Sequence, residues 1–411
     1  MLTQLLAPLT LALLCAATPV AVNENLIKLP LARRFNTTGS ARILELDQAR
    51  ARSLKTRPRR GATRAKSSSS SAAAVGVPVT NGAVTYTAEV TVGSPPTTYN
   101  LIVDTGSSNT WVGADPENPF VVSSTSTLTG QEVFVEYGSG LFLGEEAIDT
   151  LAFGGITIPK QSLGAAIISE GFDGVDGIIG IGPTDLTEGT TSAGGTVPTV
   201  TDNAFSLGLI PAKQVGVSFE PTTSLSVTNG ELSFGGPDTA KFTGDLHTVP
   251  VTTTSPASEF FGVDQSVSFG GSTILETTAG IVDTGTTLVL LASDALAKYQ
   301  AATGAVADAN TGLLSLTPAQ FAALTNLDFN IGGETFSLTP NAQIWPRVLN
   351  TAIGGTTDGI YLIVGDLGTD SGEGLDFIDG FAFLERFYTV FDSGANTVSF
   401  ATTPFTDATT N

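Results

Sequence analysis

Leu101-Ile102-Val103-Asp104-Thr105-Gly106-Ser107-Ser108 returns 179 residues later as Gly280-Ile281-Val282-Asp283-Thr284-Gly285-Thr286-Thr287. The core Ile-Val-Asp-Thr-Gly is identical in both copies, and hydroxyl residues follow each. One Asp-Thr-Gly is an ordinary turn sequence. Two extended copies, spaced by about half of the chain beyond residue 72, mark an internal duplication. In each copy an apolar strand delivers the Asp to a turn. Gly106 or Gly285 permits close backbone approach there, and the hydroxyls hydrogen-bond locally and orient the carboxylate.

If two lobes meet about a pseudo-twofold axis, the two turns face each other. Carboxylates about 3 Å apart do not both ionise readily, so they share one proton and titrate as a pair. The ionised member then takes a proton from a bound water while the protonated member donates to a carbonyl oxygen. That chemistry hydrolyses a peptide bond without a covalent intermediate and calls for no cofactor and no metal.

The surrounding sequence is mainly β. Short runs rich in Val, Ile, Thr and Phe are punctuated by Gly, as at Val84 to Val92, Tyr99 to Val103, Glu132 to Tyr137, and Val390 to Ala401 around a Gly394-Ala395-Asn396 turn. Helix signals beyond residue 72 are few. Thr199 caps a run that stops at Gly208, Ser293 and Gly304 bound a second, and Thr317-Pro318 opens a short third.

Composition removes whole classes of chemistry. With 41% hydrophobic and 14% charged residues the chain is a folded one. Its one Cys, Cys15, lies in an apolar leader, so no downstream thiol serves as disulfide, nucleophile or metal ligand. His247 is the single histidine, so a multi-histidine metal centre is excluded, and on its expected strand it reads as a surface residue. The acidic stretch Asp366, Asp370, Glu373, Asp376, Asp379 lacks EF-hand spacing and reads as a solvated loop.

Charge divides the chain further. Residues 1–17 carry none and read as a signal peptide; residues 18–71 balance at +9, and residues 72–411 at −30. The product is expected to be secreted and extracellular, with no membrane span and no nucleic-acid partner. The basic residues 18–71 read as a pro-segment that shields an acidic cleft and leaves when carboxylates protonate. The serine run Ser67 to Ser71 is the expected cleavage region, with the mature chain starting near Ala72. The Asn36-Thr37-Thr38 sequon falls inside the pro-segment. A division into an N-terminal β lobe, 72–225, and a C-terminal β lobe, 226–411, follows from the repeat spacing.

The sequence resembles the pepsin-like aspartic proteases over essentially its whole length, and among them the secreted basidiomycete enzymes of the polyporopepsin type. The residues that carry the resemblance are Asp104 within Val103 to Trp111, Asp283 within Val282 to Thr287, and Val135-Glu136-Tyr137-Gly138-Ser139-Gly140. With them go Asp176-Gly177-Ile178-Ile179-Gly180-Ile181-Gly182 and Phe391-Asp392 with Val398. The resemblance implies an all-β, bilobal pepsin-like fold with a cleft between pseudo-twofold-related lobes. It implies an aspartic endopeptidase, made as a zymogen, monomeric, that takes extended polypeptide substrates and is inhibited by its own pro-segment. Asp104 and Asp283 would be catalytic. Tyr137, Gly138 and Ser139 would form the flap over the peptide, with Trp111 supporting Tyr137. Ser107 and Thr286 would hold the two carboxylates, and Thr105 and Thr284 would join the turns. Ile102 and Ile281 would line central pockets that favour apolar residues, with Gly106, Gly285 and Thr286 along the substrate. Neutral Ser139 gives no reason to expect cleavage after Lys.

Two departures from the family pattern stand out. Phe377-Ile378-Asp379-Gly380-Phe381 places an acid where apolar residues usually precede Gly, so Asp379 is expected to be a buried or half-buried carboxyl, held protonated. The mature body also lacks any disulfide, leaving stability to core and sheets. Two other classes fit less well. A carboxylate-pair glycosidase has no need of twinned Asp-Thr-Gly turns. A non-enzymatic peptide-binding relative is disfavoured by intact Asp104, Asp283, Tyr137 and both hydroxyl partners.

Overall fold

A computed structural model of the protein describes residues 26–35, 43–56, 84–138 and 140–411. The expected signal peptide, the Asn36 sequon, the serine run and Ser139 lie outside the described residues. The fold is predominantly β and two-lobed, and two large sheets frame a cleft.

The duplicated motif predicts duplicated topology, and the strand pairings reproduce it. In the first lobe, strand Thr97–Asp104 runs parallel to Gly177–Gly180, with Val103 beside Ile179. Gly177–Gly180 is antiparallel to Trp111–Val112, which runs parallel to Ile156–Glu170. In the second lobe, Ser272–Val282 runs parallel to Phe377–Asp379, with Val282 beside Asp379. Phe377–Asp379 is antiparallel to Val289–Leu291, which runs parallel to Val364–Asp366. Each Asp-Thr-Gly therefore leaves the end of a central strand, and the chain returns along the far side of the same partner strand. These inner strands are buried on both faces, which explains their continuous apolar runs.

The first lobe's sheet continues through the middle of the molecule and has thirteen strands. At its centre Ile27–Phe35 lies between Val84–Val92 and Ser226–Phe234, antiparallel to both. Beyond it come Gln214–Ser218, Phe387–Asp392, Thr397–Thr402 and Thr243–Pro250, so segments from both ends of the chain meet in one floor. A separate seven-stranded sheet carries Asp283. One hydrophobic core runs through both lobes, and a smaller cluster beneath the flap gathers Ile102, Trp111, Val133, Val135, Tyr137, Phe142, Phe172, Val175 and Ile178.

The short helices follow their caps. Thr199 and Asp202 form a capping box for Val200–Ser206, and Thr317 with Gln320 does the same for Pro318–Ala322. The helix Ser293–Thr303 keeps the bounds expected from sequence, with left-handed Gly304 as its C-cap, and the Ser293 hydroxyl donates to Asp366 Oδ1 at 2.7 Å. His247 is half-buried rather than on the surface, its ring 6.5 Å from that of Phe336. The acidic stretch is not a solvated loop throughout, because Asp376 and Asp379 are buried. Asp376 takes the Thr278 hydroxyl and the N–H groups of Gly372 and Glu373.

Candidate active site

The two Asp-Thr-Gly turns meet at the floor of the cleft and are tied by the residue between Asp and Gly. Thr105 N–H donates to Thr284 Oγ1 and Thr284 N–H to Thr105 Oγ1, both at 3.0 Å. Each hydroxyl then donates across the axis, Thr284 to Val103 O at 3.0 Å and Thr105 to Val282 O at 3.3 Å. Three buried polar groups from each lobe thus satisfy one another, which a buried turn requires. A threonine suits the task because its hydroxyl donates and accepts at once.

The carboxylates above this tie are held alike. Asp104 accepts Gly106 N–H at 2.9 Å on Oδ1 and the Ser107 hydroxyl on Oδ2. Asp283 accepts Gly285 N–H at 3.1 Å on Oδ1 and the Thr286 hydroxyl at 2.6 Å on Oδ2. Each glycine makes room for the opposite acid. A Cβ on Gly106 would come 2.8 Å from Asp283 Oδ1, and one on Gly285 would come 2.7 Å from Asp104 Oδ1. Any side chain there would push the two acids apart.

Sequence reasoning missed the group that lies between them. The helix Ile43–Thr56 occupies the cleft and sends Arg50 into the pair. Arg50 Nε donates to Asp283 Oδ2 at 2.6 Å, and Nη2 donates to Asp283 Oδ1 at 2.9 Å and to Asp104 Oδ1. Burial works against the charged guanidinium, but the carboxylates of Asp104 and Asp283 outweigh it and hold Arg50 above its ordinary range. Burial likewise pushes Asp283 up, and the Arg50 charge and hydrogen bonds, with Thr286 and Gly285, bring it below the usual carboxylate range.

The same helix is docked at further points. Asp47 is buried and accepts Leu288 N–H at 2.8 Å and Thr287 N–H at 3.2 Å. Burial pushes its carboxyl up to about 7 against the pull of those two bonds. Gln48 Nε2 donates to Asp366 O at 2.9 Å, and Lys55 reaches Glu373 at 3.2 Å. The signal for this helix was present as a period: Ile43, Leu46, Asp47, Ala51 and Leu54 are its buried residues, at spacings of three and four. Arg50 lies on that buried face, and nothing in the local sequence distinguishes it from Arg52, two residues on.

The flap hairpin, Thr127–Tyr137 and Gly140–Phe153, closes over the helix. A Cβ on Gly138 would lie 2.1 Å from Arg50 Cα, so the hairpin tip rests on the helix backbone. Behind the tip, Trp111 Nε1–H donates to the Tyr137 hydroxyl at 2.9 Å. The indole stacks on Phe142 at 4.5 Å and meets Phe172 edge-on at 4.9 Å. Ile102 belongs to this flap cluster, whereas Ile281 is buried in the larger core.

Three comparisons bear on this arrangement. A family model described as eukaryotic aspartyl protease matches residues 85–403. Polyporopepsin of Irpex lacteus is 61% identical, over 82% of this chain and the whole of that protein. Rhizopuspepsin-1 of Rhizopus niveus is 32% identical, over 95% of this chain and 96% of that protein. The crystal structure of the aspartic proteinase from Irpex lacteus superimposes with a TM-score of 0.78 at 62% identity, covering 80% of this chain and 96% of that one.

Proposed function

The chain belongs to the eukaryotic aspartyl protease family and is an aspartic endopeptidase, and on that footing we propose that Asp104 and Asp283 are its catalytic pair and residues 18–71 its intramolecular inhibitor. The observation that carries both assignments is Arg50, bridging two buried carboxylates that are otherwise held symmetrically. Opposed buried acids repel unless a cation or a shared proton separates them. In the closed protein the guanidinium does so. Once the helix has left, one proton takes its place, as in the paired aspartates of acid proteases.

In the open enzyme a water bridges the pair. The ionised aspartate takes its proton as the oxygen attacks the peptide carbonyl, and the other aspartate donates to the carbonyl oxygen. The tetrahedral intermediate collapses as the leaving nitrogen is protonated, and the pair returns to its singly protonated state. The tie through Thr105 and Thr284 keeps the acids in register, Ser107 and Thr286 keep their outer oxygens occupied, and Tyr137 covers the site against water. Ile102 and Ile281 supply apolar walls on either side of the scissile bond. The enzyme is secreted, works at acidic pH and acts on extended polypeptide. The body's −30 charge supports the last step of release: as carboxylates protonate, its attraction for the +9 segment falls.

The test is acid proteolysis of a denatured protein with and without pepstatin, on the full chain and on Asp104→Asn and Asp283→Asn variants. Activity abolished by either substitution and by pepstatin is expected. Activity unchanged in either variant would overturn the assignment.

A further inference from the structure

By strand register Asp379 stands where the first lobe has Ile179: Val282 pairs with Asp379 as Val103 pairs with Ile179. An acid thus replaces an aliphatic side chain at a fully buried position directly behind the Asp283 turn. Its main chain is part of that turn, since Asp283 N–H donates to Asp379 O at 3.1 Å. Its side chain meets one polar partner, Gln265, whose Nε2 donates to Asp379 Oδ1 at 3.3 Å. Asp379 Oδ2 and Gln265 Oε1 are both buried without a hydrogen-bond partner among the described residues. If the carboxyl is ionised, both are acceptors and no bond between them can form. A proton on Oδ2 supplies the missing donor for Oε1.

Among the described residues no charge offsets an ionised form. On the strands packed beside it, Asp264 and Glu276 are exposed, and Asp264 takes the Thr252 hydroxyl. Asp376 is bonded by Thr278, Gly372 and Glu373, and Asp328 by Ser337. Val289–Leu291 and Phe381–Leu384 carry no titratable group; beyond the latter, Glu385 is bonded by Tyr86, and Arg386 donates to the carbonyls of Phe405 and Ala408. Asp283, whose N–H bonds the Asp379 carbonyl, is neutralised by Arg50 in the closed form.

We propose that Asp379 is a positioning residue carried as a neutral acid, joined to the Gln265 amide by two reciprocal hydrogen bonds, and that ionisation of this pair sets the upper pH limit of the Asp283 turn. Burial pushes the Asp379 carboxyl up to about 8, the Gln265 bond opposing it. The sign follows from linkage: a group protonated in the folded state and ionised in the unfolded one stabilises the fold fully below its unfolded value. That contribution is lost as pH rises through its folded value.

Asp379→Asn keeps both bonds at every pH, because an amide supplies the donor and the acceptor. Urea unfolding of the full chain and of this variant, both carrying Asp104→Asn to prevent self-cleavage, is followed by tryptophan fluorescence from about pH 5 to 8.5. The unfolding constant of the reference chain is expected to climb more steeply by about one proton, tenfold per pH unit, until the slopes converge above about pH 8. Parallel slopes throughout would overturn the proposal, as would a variant that does not fold. Infrared spectroscopy of the full chain and of Asp379→Asn gives an independent reading: a protonated-carboxyl band at pH 7 that is weaker in the variant is expected, and equal bands in the two proteins are disproof. With active Asp104, the Asp379→Asn protein held at pH 8 and returned to acid should recover more proteolysis than the unsubstituted chain. Equal recovery would count against the proposal. Only this last arm rests on the protease assignment, so its failure is distinguishable from failure of the buried pair.

Discussion

Replacing Arg50 by methionine keeps the unbranched stem of the side chain and removes the guanidinium, leaving two buried carboxylates facing each other. The guanidinium makes three charge-assisted contacts and is itself only 11% exposed at the side chain, so solvent screening softens the loss little. Removing one partner from a buried ion pair costs about 3–5 kcal/mol, since the remaining charge is left uncompensated. At 1.36 kcal/mol per decade, that weakens docking of the helix by roughly two to four powers of ten. The stranded acids recover part of it by taking up a proton, which moves the pH of opening upward. The assay is binding of pepstatin to the full chain as a function of pH. Pepstatin needs the cleft, so its binding reports the open population. The unsubstituted chain should bind only below the ordinary carboxylate range, because Asp283 is held below that range while Arg50 is docked. Arg50→Met should bind at mildly acidic pH, and Arg50→Lys should fall between, having the charge without the two-pronged geometry. An Arg50→Met protein that stays closed and opens at the same pH would refute the latch.

Thr284→Val strands Thr105 N–H in the buried tie and should lower stability by about 1–3 kcal/mol, read as a shift of the urea midpoint, together with a fall in kcat. Thr105→Val should cost a similar amount, and the double variant less than the sum, because both act in one network. Trp111→Phe removes the donor to Tyr137 while keeping most of the stack on Phe142, and should lower kcat/KM by up to about tenfold with little change in unfolding. Asp47→Asn should flatten the pH dependence of helix docking between about pH 5 and 7 by close to one proton, measured by hydrogen exchange of residues 43–56 in the full chain.

What was readable in the sequence was whatever the duplication repeats. The Asp-Thr-Gly copies predicted two lobes and the facing turns because the apolar strand, the acid and the small turn residue all sit within eight residues of each other. The reciprocal threonine bonds belong to the same short stretch. What stayed hidden depends on long-range placement. Arg50 acts on acids 54 and 233 residues away, and its helical period lies in a strongly basic segment with a narrow apolar face. His247 was misplaced because an isolated imidazole on a strand gives no sign of which face is covered. Asp376 was grouped with exposed neighbours by sequence proximity, although it lies buried just before the strand Phe377–Asp379. The departure at Asp379 was visible as a broken pattern. Its partner, Gln265, 114 residues earlier, was not.

The closed state is governed by acids whose pH responses oppose one another. Asp283 is held low by Arg50 while the helix is docked, so its contribution to docking is present above the ordinary carboxylate range and lost as pH falls through its lowered value. Asp47 is held high, at about 7, so its contribution is full below its free value and lost as pH rises through 7. On mild acidification Asp47 therefore tightens the helix while Asp283 is still ionised and paired. Further acid protonates Asp283, breaks its bonds to Arg50 and removes the body's attraction for the basic segment, effects that add. Opposed responses separated in pH give a zymogen that is most firmly closed in weak acid and opens over a narrow interval in strong acid. A single latch of either kind would release gradually, and a helix held by Arg50 alone would lack the tightening that Asp47 adds before Asp283 protonates.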